Sequence, residues 1–238
     1  MSAHNNPLAH RTRIKICGLT REQDVDAAVA AGADAVGFVL YARSPRCVTP
    51  ERAGVLTRRL PPFVTPVLLF VNETAASVQA ACALVPTALL QFHGDESPQA
   101  CSEAAAGRPW LRAARIPMDP AVPFDLLKFA AEFAQAQALL LDAAVEGYGG
   151  AGQTFPWSRL PPNASCHAVL SGGLTPANVG DGIAQVRPRF TTLAVDVSSG
   201  VEASKGVKDA GRIHQFVAAV RAADERLARS PHVPLPAA

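Results

Sequence analysis

Two side chains in this sequence stand where they can move protons. Cys17 closes the apolar run Arg13–Cys17 directly before Gly18, and Asp142 closes the run at 138–142. A thiolate can take a proton from carbon, and a carboxyl group at the rim of a site can act as acid or base. Each also has a plain structural reading. A cysteine is commonly a small buried hydrophobe, and an aspartate after a strand commonly caps the loop that follows. Lys15 lies two residues before Cys17 and shares its face if the strand is regular.

Groups suited to anions accompany this pair. Ser171-Gly172-Gly173 and Ser198-Ser199-Gly200 each follow an apolar run. Glycines there let backbone N–H groups approach a phosphate, although ordinary turn glycines look the same. Arg46, in Ser44-Pro45-Arg46, carries a guanidinium that either forks onto a carboxylate or sits in solvent. His93, in Gln91-Phe92-His93-Gly94, either orients a substrate or is a satisfied polar residue. Asn72, Arg115 and Asp196 stand at the ends of other runs. The segment from Gly147 to Gly152 matches G-x-G-x-x-G. Pro156 follows too soon for a helix to open at the third glycine, and no acidic residue stands about 20 residues on, so the dinucleotide reading is rejected. The same segment reads as a flexible loop able to close over a site.

These residues acquire meaning from the elements that carry them. Apolar runs recur at 13–17, 35–40, 66–71, 88–92, 111–116, 138–142, 168–170 and 193–197. Most are continuous rather than alternating, as in strands of a parallel sheet buried on both faces. Helical spacing joins Val25, Ala28, Val29 and Gly32, then Val78, Ala81, Cys82 and Val85, then Ile213, Phe216, Val217 and Val220. Thr49-Pro50, Ser97-Pro98 and Thr175-Pro176 each predict an N-cap before a proline at the first helical position. Thr20 with Gln23 predicts a capping box. The sixth crossover is weak, because only a short helix fits before Pro161 and Pro162. Eight strands alternating with eight helices predict a single (β/α)8 barrel over 13–226, with a flexible loop after strand 6 and tails at 1–12 and 227–238. An open doubly wound sheet satisfies the same alternation, and the count of eight favours the barrel. In a barrel the residues named above gather at the C-terminal mouth, where active sites of that fold lie. Phosphate sites often occupy the loops after strands seven and eight.

Composition removes other classes. Apolar residues make up 49 % of 238 and charged residues 18 %, enough for a large core. A net charge of +2 without a dense basic block gives no support to a nucleic-acid or membrane-surface role. No apolar run reaches the length of a membrane span, and the first residues hold no apolar signal segment. Five cysteines without C-x-x-C spacing argue against a disulfide framework or a zinc site and for a reducing cytoplasm.

Seven ordered segments resemble the phosphoribosylanthranilate isomerase family of tryptophan biosynthesis. They are Lys15-Ile16-Cys17-Gly18; Gly37-Phe38-Val39 with Ser44-Pro45-Arg46; Phe70-Val71-Asn72; Leu90-Gln91-Phe92-His93-Gly94-Asp95; Leu140-Leu141-Asp142 with Gly149-Gly150-Ala151-Gly152; Ser171-Gly172-Gly173-Leu174-Thr175-Pro176; and Asp196-Val197-Ser198-Ser199-Gly200-Val201-Glu202 through Lys208-Asp209. Small departures stand at Cys47, Phe92 and Lys205. The resemblance implies an Amadori rearrangement of a sugar phosphate, with Asp142 as general acid and Cys17 as general base. It implies that Arg46 grips the anthranilate carboxylate, that Gly173, Ser198, Ser199 and Gly200 hold the phosphate, and that His93, Gly172 and Asp196 belong to the substrate site. No metal or organic cofactor is expected, because the substrate imine is the electron sink. The expected partner is the small-molecule substrate alone, for a cytoplasmic monomer or homodimer. Related readings fit less well. A histidine-pathway aminoaldose isomerase wants an aspartate where Cys17 stands, and indole-glycerol-phosphate synthase wants catalytic lysines at strand ends. A non-catalytic barrel that merely binds a phosphorylated metabolite is expected to lack Cys17 or Asp142.

Overall fold

The computed structural model describes residues 11–144 and 152–229. Each apolar run is a strand: β1 (Arg13–Cys17), β2 (Ala35–Val39), β3 (Thr65–Phe70), β4 (Leu89–Phe92), β5 (Trp110–Pro117), β6 (Ala138–Ala144), β7 (Ala164–Leu170) and β8 (Phe190–Val197). They pair in sequence order, all parallel, and β8 returns to β1 to close the barrel. β7 and β8 begin earlier than their apolar segments suggest. Their first halves carry the exposed polar residues Ser165, His167, Thr191 and Thr192, which hide the strand signal.

The crossovers are α1 (Glu22–Ala31), α2 (Pro50–Thr57), α3 (Ala75–Leu84), α4 (Pro98–Ala105), α5 (Leu126–Glu132), α6 (Val179–Val186) and α7 (Ala210–Arg229). Where a sixth crossover helix was expected, the described residues hold only a three-residue 3-10 turn, Trp157–Arg159. Pro156, Pro161 and Pro162 bracket it and withhold the N–H groups a longer helix needs. Thus seven α-helices, not eight, surround the barrel among the described residues. An unforeseen antiparallel hairpin, β9 (Glu202–Ser204) and β10 (Val207–Lys208), interrupts the path from β8 to α7.

Two expected caps form. The side chains of Thr49 and Ser97 accept from the backbone N–H groups of Arg52 and Ala100. Two do not. Thr175 opens a turn, and α6 begins only at Val179, with Asn178 accepting from the Thr175 N–H at 2.8 Å. The Thr20 hydroxyl donates to the Gly206 carbonyl at 3.0 Å, and α1 opens after Arg21 without a side-chain cap.

The helical stripes are the packing faces. Val25, Ala28, Val78, Ala81, Ile213, Phe216 and Val220 are all essentially inaccessible. A fully buried Val, Ile or Phe stabilises by roughly 1.5–3 kcal/mol. Inside the barrel, Leu111, Ala113, Leu140 and Val169 form a separate apolar plug with Leu89 and Ala194 against it. Strand alternation repeats every second residue, so the positions above that plug point into the same lumen, at the mouth. Among the described residues no helix is long and apolar enough to cross a membrane.

Candidate active site

Alternation aims Cys17 of β1, Gln91 of β4 and His93 just after it, Asp142 of β6, Ser171 after β7 and Asp196 of β8 into one cleft. Its space, open mouth included, is about 900 Å³. Of the segment from Gly147 to Gly152, only Gly152 is among the described residues, and it lines the cleft beside Gln153.

Cys17 is buried with Val39, Leu69 and Val71, and Tyr41 packs against this apolar wall. Its thiol fits because Gly37 stands opposite on β2: a Cβ there would lie 2.7 Å from Sγ. Lys15 does share the face of Cys17. Its Nζ donates to Asp196 Oδ1 at 2.8 Å, in register across β1 and β8, and also reaches the thiol. Burial pushes the Cys17 thiol up, the Lys15 charge opposes that rise, and the Asp196 charge adds to it. Burial works against the Lys15 ammonium too, but Asp196 and Cys17 outweigh it and hold the amine above its ordinary value.

Asp142 stands three strands away round the barrel, beyond β8 and β7. Its Oδ2 bonds His93 Nε2 at 2.9 Å, and its Oδ1 accepts from the Ala143 N–H at 2.9 Å. The Gln91 amide lies 3.0 Å from His93 Nδ1. With that amide donating, Nδ1 accepts and the proton sits on Nε2, directed at Asp142. Gly172, at φ +77°, lets the loop after β7 press against the carboxylate: a Cβ there would stand 2.8 Å from Asp142 Oδ1.

The anion-binding candidates divide. Ser171, Gly172, Gly173, Ser198 and Ser199 all line the cleft. Gly200 is not among the residues lining the cleft, and a Cβ there would meet the Leu174 carbonyl oxygen at 1.9 Å, so only glycine fits where these two loops touch. Asp196 reaches the mouth with both oxygens engaged, one by Lys15 and the other by the Ser171 hydroxyl at 3.2 Å. Arg46 lines the cleft, but its fork is already occupied: Nε and Nη2 donate to Glu202 at 2.7 and 2.8 Å. Lys208 donates to the same carboxylate at 2.8 Å and to the Ser198 carbonyl at 3.0 Å. Sequence reading passed over Gln91, Glu202 and Lys208 as working residues. Gln91 carried a usable signal, since it lies two residues before His93 on the same face. Among the described residues, no group of three or more His, Cys, Asp and Glu side chains could hold a metal ion.

Known proteins share both sequence and fold. The family profile described as N-(5'-phosphoribosyl)anthranilate (PRA) isomerase matches residues 14–219. The N-(5'-phosphoribosyl)anthranilate isomerase of Methylibium petroleiphilum is 62 % identical over 220 residues, 92 % of this chain and 99 % of its own length. That of Dechloromonas aromatica is 59 % identical, over 91 % of this chain and all of its own. The crystal structure of the Thermotoga maritima phosphoribosyl anthranilate isomerase superposes with a TM-score of 0.77 at 38 % identity, covering 89 % of this chain and 99 % of that one. Another, solved in complex with reduced 1-(o-carboxyphenylamino)-1-deoxyribulose 5-phosphate, gives 0.73 at 36 % identity over the same shares. A match along almost the whole barrel, at such identities, establishes that this chain belongs to the N-(5'-phosphoribosyl)anthranilate isomerase family.

Proposed function

We propose that this enzyme rearranges N-(5'-phosphoribosyl)anthranilate to 1-(2-carboxyphenylamino)-1-deoxyribulose 5-phosphate, with Asp142 as general acid and Cys17 as general base. Asp142, as the carboxylic acid, gives its proton to the ribose ring oxygen. The C1′–O bond breaks, and the anilino nitrogen lone pair becomes the second bond of a Schiff base. The Cys17 thiolate then takes the proton from C2′. The C–H electrons form the C1′=C2′ bond, and the C=N pair returns to nitrogen. The resulting enolamine moves its hydroxyl proton to C1′ and becomes the ketone. No external electron acceptor enters, because the imine receives the pair.

One arrangement carries this reading. Between Cys17 and Asp142 lie only β7 and β8, the two strands whose loops bear Ser171-Gly172-Gly173 and Ser198-Ser199. A sugar whose phosphate rests on those loops has its ribose between acid and base. The apolar wall of Val39, Leu69 and Val71 suits an aromatic ring, and Arg46 beside it suits the ring carboxylate. His93 orients Asp142, and Asp196 orients Lys15 beside the thiol.

Cys17→Ser and Asp142→Asn should each lower kcat by at least about 100-fold, the scale of a positioned acid or base, with far-UV circular dichroism unchanged. Near-normal turnover of phosphoribosylanthranilate by either variant would show that the roles are wrongly assigned.

A further inference from the structure

Arg46 and Ser198 sit on different loops, yet one buried chain of charges joins them. Arg46 forks onto Glu202 at 2.7 and 2.8 Å. Lys208 reaches Glu202 at 2.8 Å, the Ser198 carbonyl at 3.0 Å and the Ser198 hydroxyl at 3.2 Å. Both Glu202 and Lys208 come from the β9–β10 hairpin, whose register shifts between Val207 and Lys208. The hairpin is seated tightly. A Cβ on Gly206 would lie 2.7 Å from the Pro45 carbonyl oxygen, in the loop that carries Arg46. A Cβ on Gly18 would lie 2.5 Å from Arg46 Cδ and 3.1 Å from Ser198 Oγ, so these two groups meet over one glycine. Burial opposes ionisation of Glu202, yet Arg46 and Lys208 hold its carboxyl below the usual range.

We propose that the β9–β10 hairpin is a brace that fixes the distance between the two anion-holding ends of the cleft, with Glu202 and Lys208 as positioning residues. Glu202 occupies the fork of Arg46, so the guanidinium meets a substrate carboxylate by its remaining edge in a fixed orientation. Lys208 neutralises Glu202 and holds the Ser198 loop in the shape that receives phosphate. Removing either side of the brace therefore loosens both ends together. This inference rests on the reading above, in which Arg46 takes the carboxylate and the Ser198 loop the phosphate.

The test measures kcat, KM and two separate inhibition constants, for anthranilate and for ribose 5-phosphate. Glu202→Asp keeps the charge and shortens the arm by one methylene. Lys208→Met removes the ammonium from a residue that does not hydrogen-bond Arg46. Each should raise KM and both inhibition constants about tenfold, within the range that misplacement produces, while kcat, read on the alkaline plateau where loss of the Lys208 charge no longer limits the Cys17 thiolate, stays within about threefold. Arg46→Ala is the control for the underlying reading. If it leaves anthranilate inhibition unchanged, Arg46 does not hold the carboxylate and that reading fails. If it weakens anthranilate while Lys208→Met weakens only ribose 5-phosphate, the reading stands and the brace is wrong. Should Glu202→Asp prove insoluble, Lys208→Arg takes its place: it keeps the charge that acts on Arg46 and disturbs only the hydrogen bonds to Glu202 and Ser198, so anthranilate inhibition unchanged by it would overturn the brace.

Discussion

Cys17 sits in an environment that opposes the form its proposed role needs. Burial raises the thiol, and Lys15 is the largest force in the other direction. A raised value means that the thiolate forms only above the ordinary thiol range, so kcat/KM should climb with pH through the alkaline side rather than level off near neutrality. Replacing Lys15 with Met removes the opposing cation. The base limb should then move to still higher pH, and alkylation of Cys17 by iodoacetamide at a fixed pH should slow. Peptide mapping by mass spectrometry separates Cys17 from Cys47, which is exposed. A limb unmoved by Lys15→Met would remove the ammonium from any part in setting the base. Gly37 belongs to the same argument, since it supplies the room in which thiol and ammonium meet.

At the scale of elements, the starts of the helices offer a contrast in what a hydroxyl does. Ser97 accepts from the Ala100 N–H at 3.2 Å ahead of Pro98, so it satisfies one of the first-turn donors of α4. Ser97→Ala should lower stability by about 1 kcal/mol, measured by urea unfolding. Thr20→Ala should leave α1 intact and slacken its contact with the β9–β10 turn, because that hydroxyl serves Gly206. The difference marks what a single chain makes legible. Strands were readable because continuous apolar runs are a local pattern, and the caps at Thr49 and Ser97 because cap and helix are adjacent. The target of Thr20 lies 186 residues on, and that of Arg46 lies 156 on. No local spacing encodes either. The strand-end rule brought Cys17, His93, Asp142 and Ser198 to the mouth correctly. It had no means of finding Glu202 and Lys208, which reach the site through a hairpin inserted after β8. Nor does anything near Arg46 in sequence announce the carboxylate that already fills its fork.

A closed barrel has two ends, and their demands on the chain differ. The mouth gathers polar groups for chemistry, whereas the opposite end has to hold the first strand against the last helix. There Asp224 of α7 accepts from the Thr12 backbone N–H at 2.8 Å and from its hydroxyl at 2.7 Å, just before β1, and it pairs with the buried guanidinium of Arg187 between α6 and β8. One carboxylate thus joins the beginning of the barrel to its end. Asp224→Ala takes the anion from beside Arg187, whose side chain is only 3 % exposed, and strips Thr12 of its acceptor. Arg187 is buried and Asp224 half-buried, so the loss should be about 2 kcal/mol, below the cost of breaking a fully buried pair. The midpoint in guanidinium chloride should fall accordingly with the slope m unchanged, as it does when the folded and unfolded states keep their compactness. Because the cluster lies at the far end from Cys17 and Asp142, kcat and KM under native conditions should stay within about twofold, since distant sites act nearly independently. A variant with full stability and impaired turnover would show the reverse division of labour, with the closing end of the barrel tuning the mouth.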